Sequence, residues 1–244
     1  MIPEHFKKLR KLPVRNINKN RSGGVKLINP GRCVVFFDFD NTISTCDVID
    51  SMLPRFSRDD LWLKLEKDWQ KGKIGSHKCL EGQIRGLSIT KAELDKYLSG
   101  IKLDPYFKKI VKVLNDKKVK TVVLSDNFDY ILNRILGHHS IPKLKVYSNK
   151  LHVASSRLTP YFPHHSPKCQ VCGHCKTGNL LANVDPESII IYIGDGRSDI
   201  CPSQYADLVF AKDELLKYYQ DRKWTCFSYE SLKDVHDYFI RSFV

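Results

Sequence analysis

The sequence predicts an α/β fold: a doubly wound parallel sheet with a small helical cap inserted after the first strand. Three observations lead to this prediction. Short apolar runs alternate with helical patterns along most of the chain, as they do in doubly wound sheets. Two of these runs end directly in acidic clusters, which is typical of strands whose carboxyl ends line a ligand crevice. Between residues 44 and 104 the pattern is helical and contains no convincing strand, which predicts the cap.

Two acidic clusters, far apart in the sequence, are predicted to form one site. The apolar run at residues 33–37 precedes Asp38-Phe39-Asp40-Asn41-Thr42, and the run at 189–193 precedes Gly194-Asp195-Gly196-Arg197-Ser198-Asp199. Both runs are short and rich in β-branched or aromatic residues, as buried parallel strands are. Their four strand-end aspartates would repel one another unless a cation lay between them. Carboxylate oxygens favour Mg²⁺, so the two clusters predict a magnesium site.

The other elements are predicted from apolar periodicity and capping signals. Further strands are expected at residues 120–124, near 144–147 and at 208–210, with an irregular stretch between the second of these and Lys176. Helices are expected at residues 57–69, 76–87, 104–115, 128–136 and 177–183, after Ser198, and from Thr90, which opens a capping box with Glu93. The predicted division is a basic arm over residues 1–30, a catalytic core over 31–44 and 104–244, and a cap over 45–103.

The bulk composition limits the class of protein. A chain of 244 residues with 42% hydrophobic residues can form a sizeable core. No apolar run approaches the roughly 20 residues that span a bilayer, and no signal peptide opens the sequence. A cytoplasmic protein without a membrane span is therefore expected. Nothing in the composition points to a particular oligomeric state.

The net charge of +13, from 40 Lys and Arg against 27 Asp and Glu, is partly concentrated in the N-terminal arm. Before residue 31 the sequence has one acidic residue, Glu4, and eight basic residues: Lys7, Lys8, Arg10, Lys11, Arg15, Lys19, Arg21 and Lys26. We interpret the arm as an irregular, solvated segment, since no aromatic-interleaved motif supports nucleic-acid binding. A basic surface would also raise the local concentration of a phosphorylated substrate.

Four motifs, taken in their order along the chain, resemble the haloacid dehalogenase superfamily of phosphatases. They are Asp38-x-Asp40-x-Thr42 after the first strand, Ser125 after a second, Lys176 at the start of a helix, and Gly194-Asp195-x-x-x-Asp199 after a later strand. The resemblance covers residues about 33–240. It implies a Rossmann-like core with a helical cap of the subfamily IB type.

The resemblance also implies a role for each motif. Asp38 would be the nucleophile that forms an aspartyl-phosphate, and Asp40 would be the general acid and base. The hydroxyls of Thr42 and Ser125 would donate hydrogen bonds to phosphoryl oxygens. Lys176 would offset the negative charge between the nucleophile and the phosphate.

For the metal, the resemblance implies Mg²⁺ held by Asp38, Asp195 and the backbone carbonyl of Asp40, with Asp199 binding directly or through water. The implied activity is hydrolysis of a small phosphorylated metabolite. An alternative is a catalytically weak binding module for nucleic acid or a phosphorylated partner. The intact Asp38–Asp40 pair argues against that alternative, and it favours hydrolysis over phosphotransfer or phosphonate cleavage.

Within the superfamily, residues 73–76, 163–176 and 206–235 are similar to the methionine-salvage phosphatases, which hydrolyse 2-hydroxy-3-keto-5-methylthiopentenyl-1-phosphate. The cysteine segment and Cys201-Pro202 are also similar to the phosphoethanolamine/phosphocholine phosphatases. Ser125-Asp126-Asn127 replaces the Ser-Gly-Gly that is typical of salvage and phosphoserine phosphatases. Asp126 or Asn127 is expected to face the substrate beyond the phosphate, which favours a polar or cationic leaving group. The alternative is that Asp126 caps the helix that follows.

Eight cysteines in a chain without a signal peptide argue against a disulfide framework. Cys169, Cys172 and Cys175 form two consecutive Cys-x-x-Cys spacings directly before Lys176. With His164, preferred over His165 and His174, they offer the four soft ligands of a structural Zn²⁺ site. The alternatives are a reduced thiol cluster without metal and a redox-sensitive pair.

Overall fold

A computed structural model describes residues 28–166 and 171–243 of the chain. The predicted basic arm as far as residue 27, and Cys169 of the cysteine segment, lie outside these ranges. Within them, no helix has both the length and the apolar character needed to cross a membrane.

Seven strands form one sheet in the spatial order β4-β3-β2-β1-β5-β6-β7, in which all neighbours are parallel except β3 and β4. Helices cover both sides, so the predicted doubly wound α/β fold is confirmed. The strands are β1 (Cys33–Phe37), β2 (Lys120–Phe128), β3 (Lys145–Ala154), β4 (Arg157–Tyr161), β5 (Ile189–Gly194), β6 (Leu208–Ala211) and β7 (Phe227–Ser228).

Four α-helices of the described residues lie in the segment predicted to be the cap, residues 45–103, and this division into cap and core stays a prediction. Those of the cap are α1 (Val48–Phe56), α2 (Leu61–Gln70), α3 (Ser76–Gly86) and α4 (Lys91–Ser99). Those of the core are α5 (Phe107–Asp116), α6 (Asp129–His138), α7 (Lys176–Leu181), α8 (Ile200–Ser203), α9 (Asp213–Asp221) and α10 (Leu232–Ser242). Single-turn 3-10 helices occur at Pro30–Arg32 and Arg197–Asp199.

β1 lies at the centre of the sheet, and both of its faces are covered. Val35 and Phe37 pack into the larger hydrophobic cluster, whereas Val34 and Phe36 pack into a second cluster on the opposite face. Because side chains alternate between the faces of a strand, burial on both sides explains why the run is continuously apolar. Burial of each large apolar side chain contributes about 1.5–3 kcal/mol, which fixes the strand firmly. β1 pairs with β2 on one side and with β5 on the other, so these two strands flank Asp38, the residue that follows β1.

The structure differs from the sequence prediction between residue 145 and Lys176. β3 continues to Ala154 and pairs with the antiparallel strand β4, where the sequence predicts an irregular stretch. Polar residues are buried within β3, and the Nδ2 of Asn149 donates to the backbone carbonyl of Asp126 (2.6 Å), so the alternating pattern is weak. Ser155 takes the left-handed turn conformation (φ 49°), which usually calls for Gly or Asn, so the turn signal is missing too.

The predicted cap contacts the core at several places, and two of them lie near the strand ends that carry the acidic clusters or near Lys176. Ser44 and Leu103, where the chain leaves and re-enters the core, form an antiparallel β-bridge. At the start of α3, the N–H of Ser76 donates to the carbonyl of Val171 (2.8 Å), and the N–H of Gly173 donates to the Oγ of Ser76 (2.7 Å). The cap is thus tied to the cysteine segment that leads into α7.

Candidate active site

Lys176, the first residue of α7, is the centre of a buried ionic cluster. Its Nζ donates to a carboxylate oxygen of Asp38, to Oδ1 of Asp199 (2.8 Å) and to Oγ of Ser198 (2.8 Å). Burial alone would lower the pKa of Lys176. The charges of Asp199 and Asp38 outweigh burial and hold that pKa well above its usual value. The lysine is therefore charged, and three acceptors orient it.

Asp38 follows β1 directly, and its backbone N–H donates to the carbonyl of Ile193 in β5 (2.9 Å). Burial raises the pKa of its carboxyl well above the usual value, the charge of Asp199 adds to this, and Lys176 opposes it. The carboxylate oxygens of Asp38, Asp195 and Asp199 lie within 4.8 Å of one another. When all three carboxyls are ionised, their three negative charges against the one positive charge of Lys176 leave an excess of two. The cluster can therefore hold a metal dication.

Asp195 follows β5 and is held in place by Thr42, the last residue of the first motif. The Oγ1 of Thr42 donates to Oδ1 of Asp195 (3.2 Å) and lies 3.3 Å from the hydroxyl of Tyr229. Burial, and next the charge of Asp199, raise the pKa of Asp195 to about 6. Opposite charge brought by a cation would relieve this cost, so the position of Asp195 fits a metal ligand.

Asp199 is completely buried and accepts four hydrogen bonds. Its Oδ1 accepts from Lys176 and from the hydroxyl of Tyr192 (2.6 Å), and its Oδ2 accepts from the N–H groups of Asp195 (3.0 Å) and Gly196 (3.2 Å). A Cβ at Gly194 would lie 2.4 Å from that Oδ2, so the packing requires a glycine there. With both oxygens engaged, Asp199 primarily fixes Lys176 and the loop after β5.

Asp40 lines the same pocket as Asp38. Phe39, which lies between them in the sequence, is fully buried in the core. The Oδ1 of Asp40 accepts from the N–H of Val48 (3.0 Å) and from the Nδ2 of Asn127 (3.1 Å). Burial raises the pKa of Asp40, and these hydrogen bonds partly oppose the rise. A carboxyl group with a raised pKa and a fixed orientation is suited to giving and taking a proton during catalysis.

Thr42 and Ser125 lie beside the cluster, but in this structure their hydroxyls bind protein groups. Thr42 binds Asp195 as described, and the Oγ of Ser125 donates to Oδ2 of Asp40 (3.4 Å) while accepting the N–H of Asn127 (3.0 Å). The phosphate-binding role of the two hydroxyls stays a prediction. Asn127 also differs from expectation in its surroundings: it is buried, and its amide binds Asp40, so its role in substrate binding stays a prediction as well.

Asp126 lines the open pocket above the aspartate cluster, a cavity of about 480 Å³. It does not cap the next helix, because α6 begins after Phe128 without a side-chain cap. Within the described residues, its Oδ1 is buried and has no hydrogen-bond partner. Burial raises the pKa of Asp126 to about 6. Of the two residues predicted to face the substrate, the structure therefore places Asp126 at the pocket wall.

The cap contributes pocket residues that the sequence reasoning missed. They are three carboxylates and an indole ring: Asp47, Asp50, Glu66 and Trp69. Burial raises the pKa of Asp47 well above its usual value and that of Asp50 to about 6. Two positive side chains, Lys176 and Arg197, line the same pocket. On the sequence these acidic residues resemble the solvated faces of amphipathic helices, and only the Asp-x-x-Asp start of α1 hints at a cluster.

The cysteine segment contacts the site through His174. This buried ring contacts the carbonyl of Ser125 through Nδ1 (2.6 Å) and the Nδ2 of Asn179 through Nε2 (2.6 Å). Burial lowers its pKa to about 3, so the ring is neutral, with a proton on Nδ1. The ring of His164 stacks on it at 5.0 Å. His174 is therefore engaged on both nitrogens. Because Cys169 lies outside the described residues, zinc binding by the predicted set stays a prediction.

Comparison with known proteins agrees with this geometry. The family model described as Putative Phosphatase matches residues 33–226, and the chain belongs to this family of phosphoric monoester hydrolases. Two curated relatives carry the name 2-hydroxy-3-keto-5-methylthiopentenyl-1-phosphate phosphatase. The one from Geobacillus thermodenitrificans is 28% identical over 213 residues, which cover 85% of this chain and 96% of the relative. The one from Bacillus cereus is 26% identical over 210 residues, which cover 82% and 93%.

Solved structures show the same fold. The phospho-aspartyl intermediate analogue of phosphoserine phosphatase superposes with a TM-score of 0.64 at 20% identity, covering 85% of this chain and 98% of that one. Phosphoserine phosphatase from T. onnurineus, in complex with NDSB-201, gives a TM-score of 0.63 at 16% identity, covering 91% and 100%. The predicted membership of the haloacid dehalogenase superfamily, and the predicted hydrolase class, are confirmed.

Proposed function

We propose that this chain is a Mg²⁺-dependent phosphomonoesterase that hydrolyses a small phosphorylated metabolite through an aspartyl-phosphate on Asp38. The observation that carries the proposal is the buried contact of Lys176 with both Asp38 and Asp199 at the wall of the pocket. A cavity of about 480 Å³ matches a small ligand. A screen of phosphorylated metabolites with Mg²⁺ tests it. Absence of hydrolysis of every phosphomonoester would overturn it.

In the proposed first step, a carboxylate oxygen of Asp38 attacks phosphorus and the bond from phosphorus to the leaving oxygen breaks. The ammonium of Lys176 reduces the repulsion between the carboxylate and the phosphate. Asp40, held by Asn127 and Val48, gives its proton to the leaving oxygen. In the second step Asp40 takes a proton from the water that attacks the phosphorus of the aspartyl-phosphate, and Asp38 is released.

The donor set fits Mg²⁺, since it consists of oxygens and carries an excess negative charge of two. Asp38, Asp195 and the backbone carbonyl of Asp40 would hold the ion. The four hydrogen bonds on Asp199 favour an indirect contact, through water, for that residue. When bound, the ion would offset charge on the phosphoryl group.

We expect hydrolysis to stop when Mg²⁺ is removed by excess chelator and to return when the ion is added back. Asp195→Ala should lower kcat/KM by at least about 100-fold, because removal of a ligand weakens Mg²⁺ binding and the negative charge of the phosphoryl group is then no longer offset by the ion. Asp116→Ala, an aspartate on the exposed end of α5, is the matched control and should keep wild-type activity. Full activity in chelator would contradict the metal assignment.

For the leaving group, we propose a polar or cationic chemistry. Asp126 presents a buried carboxylate oxygen without a partner, and three cap carboxylates line the same pocket. An ammonium group on the substrate would offset these charges, whereas an apolar methylthio chain would leave them desolvated. Phosphoethanolamine and phosphocholine carry such a cation, phosphoserine carries an amine and a carboxylate, and the salvage intermediate named for the curated relatives is the apolar comparison.

We expect Asp126→Asn to lower kcat/KM for phosphoethanolamine or phosphocholine at least tenfold relative to the salvage intermediate. Loss of one partner of a buried charge pair typically costs about 2–5 kcal/mol, and about 1.4 kcal/mol corresponds to tenfold. Glu214→Gln removes the same charge at an exposed position of the same pocket and should leave the ratio unchanged. An unchanged ratio in Asp126→Asn would show that the cap alone sets specificity.

The same variant gives a readout that is independent of activity. The pKa of Asp126 is raised to about 6 in the folded state, so the carboxyl ionises more readily in the unfolded chain. The folded state therefore loses stability as the pH rises from about 4, and this loss is complete above about pH 6. A rise of the pKa from 3.8 to about 6 corresponds to roughly 3 kcal/mol at most. The excess unfolding free energy of Asp126→Asn over wild type should therefore grow between pH 4 and 6 and stay constant above.

A further inference from the structure

β2 becomes irregular where it reaches the active site. The ladder between β2 and β3 pairs Leu124 with Tyr147, and its next pair is Phe128 with Asn149. Residues 125–127 of β2 therefore lie opposite a single residue of β3, so β2 carries two extra residues and forms a bulge. Bulges beside active sites change the direction of side chains, so this feature bears on function.

The bulge turns three consecutive side chains toward the active site. In a regular strand successive side chains point to opposite faces, so a regular β2 would direct only alternate residues there. Here the Oγ of Ser125 and the Nδ2 of Asn127 both contact the carboxylate of Asp40 (3.4 and 3.1 Å). Asp126, the residue between them, lines the pocket. The arrangement of all three residues thus depends on the bulge.

Two buried side chains from outside the bulge bind its backbone carbonyls. The Nδ1 of His174 donates to the carbonyl of Ser125 (2.6 Å). The Nδ2 of Asn149, in β3, donates to the carbonyl of Asp126 (2.6 Å). Buried backbone carbonyls need hydrogen-bond partners, which neighbouring strands supply in an unbroken ladder. Because side chains supply the partners here, they favour the bulged form of β2.

The donor on His174 is itself oriented by α7. The Nδ2 of Asn179 donates to the Nε2 of His174 (2.6 Å), which leaves the ring proton on Nδ1, toward Ser125. The backbone carbonyl of Asn179 in turn accepts from the Nδ2 of Asn183 (2.7 Å). Since α7 begins at Lys176, these contacts join the helix that carries the lysine to the bulge of β2.

We propose that His174 and Asn149 are positioning residues, which hold the bulge of β2 so that its side chains face the substrate. Both lie outside the four motifs of the sequence and outside the lining of the pocket. His174 acts through Ser125, on the phosphate that every substrate shares, whereas Asn149 acts through Asp126, on the leaving group. The roles of these two bulge residues rest on the proposed function.

The test for His174 compares His174→Phe, which keeps a ring and removes the donor, with His174→Asn, whose Nδ2 can reach the same carbonyl. His174→Phe should lower kcat/KM at least about tenfold for every phosphomonoester that the wild type hydrolyses, because misplacement by about 1 Å can cost about 100-fold. His174→Asn should restore most of the loss. His139→Phe, which removes a histidine contact to the carbonyl of Ile101 (2.7 Å) away from the pocket, is the matched control and should keep wild-type activity.

The test for Asn149 measures substrate preference. Asn149→Leu should lower kcat/KM for phosphoethanolamine or phosphocholine several-fold relative to the salvage intermediate, because the carboxylate of Asp126 is displaced. In the Asp126→Asn background the same substitution should leave that ratio unchanged, since the charge that it positions is gone. Thr121→Val removes the contact of a buried β2 hydroxyl with the carbonyl of Val119 (3.3 Å), far from the bulge, and should leave the ratio unchanged.

Hydrogen exchange measures the bulge without a phosphatase assay. The N–H of Asn127 donates to the Oγ of Ser125 (3.0 Å), and the N–H of Phe128 donates to the Oδ1 of Asn127 (2.7 Å). These two amides should exchange about two- to tenfold faster in His174→Phe and in Asn149→Leu, and at the wild-type rate in both controls. Unchanged exchange would overturn the proposal, as would faster exchange with wild-type kinetic constants.

A measurement on the wild-type chain covers variants that fail to fold. Nitrogen-15 NMR of the His174 ring should show the neutral tautomer with its proton on Nδ1, and the other tautomer would overturn the contact with Ser125. If the wild type hydrolyses no phosphomonoester, the proposed function fails, whereas the tautomer and the exchange rates still decide whether the two side chains hold the bulge.

Discussion

Asp38→Asn should abolish turnover of every phosphomonoester that the wild type hydrolyses. The amide is nearly the same size but is a poor nucleophile, so no aspartyl-phosphate forms. The substitution also removes one charge from the cluster, which relieves the burial cost that raises the pKa of Asp38. The variant should therefore be folded, and slightly more resistant to heat than wild type in the absence of Mg²⁺. Activity is measured as phosphate release, and the covalent intermediate by mass spectrometry of acid-quenched protein.

The control for this variant is Asp129→Asn, which changes an aspartate after β2 whose carboxylate accepts backbone N–H groups of Tyr130 and Leu151. It should keep most of the activity, because its carboxylate lies outside the pocket. Wild-type phosphate release by Asp38→Asn, or trapped phosphate on another residue, would remove Asp38 from the proposed role.

Asp40→Asn should slow hydrolysis by about 10²–10⁴-fold, the usual range for loss of a general acid and base. The loss should be smaller for a phosphomonoester with a good leaving group such as p-nitrophenol, since that oxygen leaves without a proton. Breakdown of the intermediate still needs the base, so the phosphorylated form should accumulate. Rapid-quench measurement of the phosphorylated protein distinguishes the two steps.

Asn127→Leu, which removes the amide that binds Asp40 while leaving the carboxyl, provides the comparison. The hydrogen bonds from Asn127 lower the pKa of Asp40, so their loss should raise that pKa. The pH profile of kcat/KM should therefore shift to higher pH. An equal loss for good and poor leaving groups in Asp40→Asn would contradict the role as general acid.

The order of motifs along the sequence was sufficient to predict the fold class, because apolar strands that end in acidic clusters are typical of open α/β sheets with a ligand crevice. The same logic anticipated that Asp38, Lys176, Asp195 and Asp199 lie together, and the structure brings them within contact. These residues follow directly from strand or helix boundaries, so topology alone determines their position.

What the sequence did not reveal depends on the direction of side chains and on packing between distant segments. The β3–β4 hairpin was missed because buried Ser148 and Asn149 interrupt the apolar alternation. The cap carboxylates Asp50 and Glu66 were missed because a polar face on a short helix usually indicates solvent. Tyr192, which resembles one more apolar residue of β5, uses its hydroxyl to hold Asp199 (2.6 Å).

The central position of β1 between β2 and β5 has a consequence for synthesis on the ribosome. β1 is complete at Phe37, but its second partner ends only at Gly194, 157 residues later. At about 5–20 residues per second, the strand waits roughly 8–30 s with one edge unpaired. A hydrophobic strand exposed for that long is a target for aggregation and for chaperones. We therefore expect the nascent chain to need protection by chaperones until β5 has been synthesised.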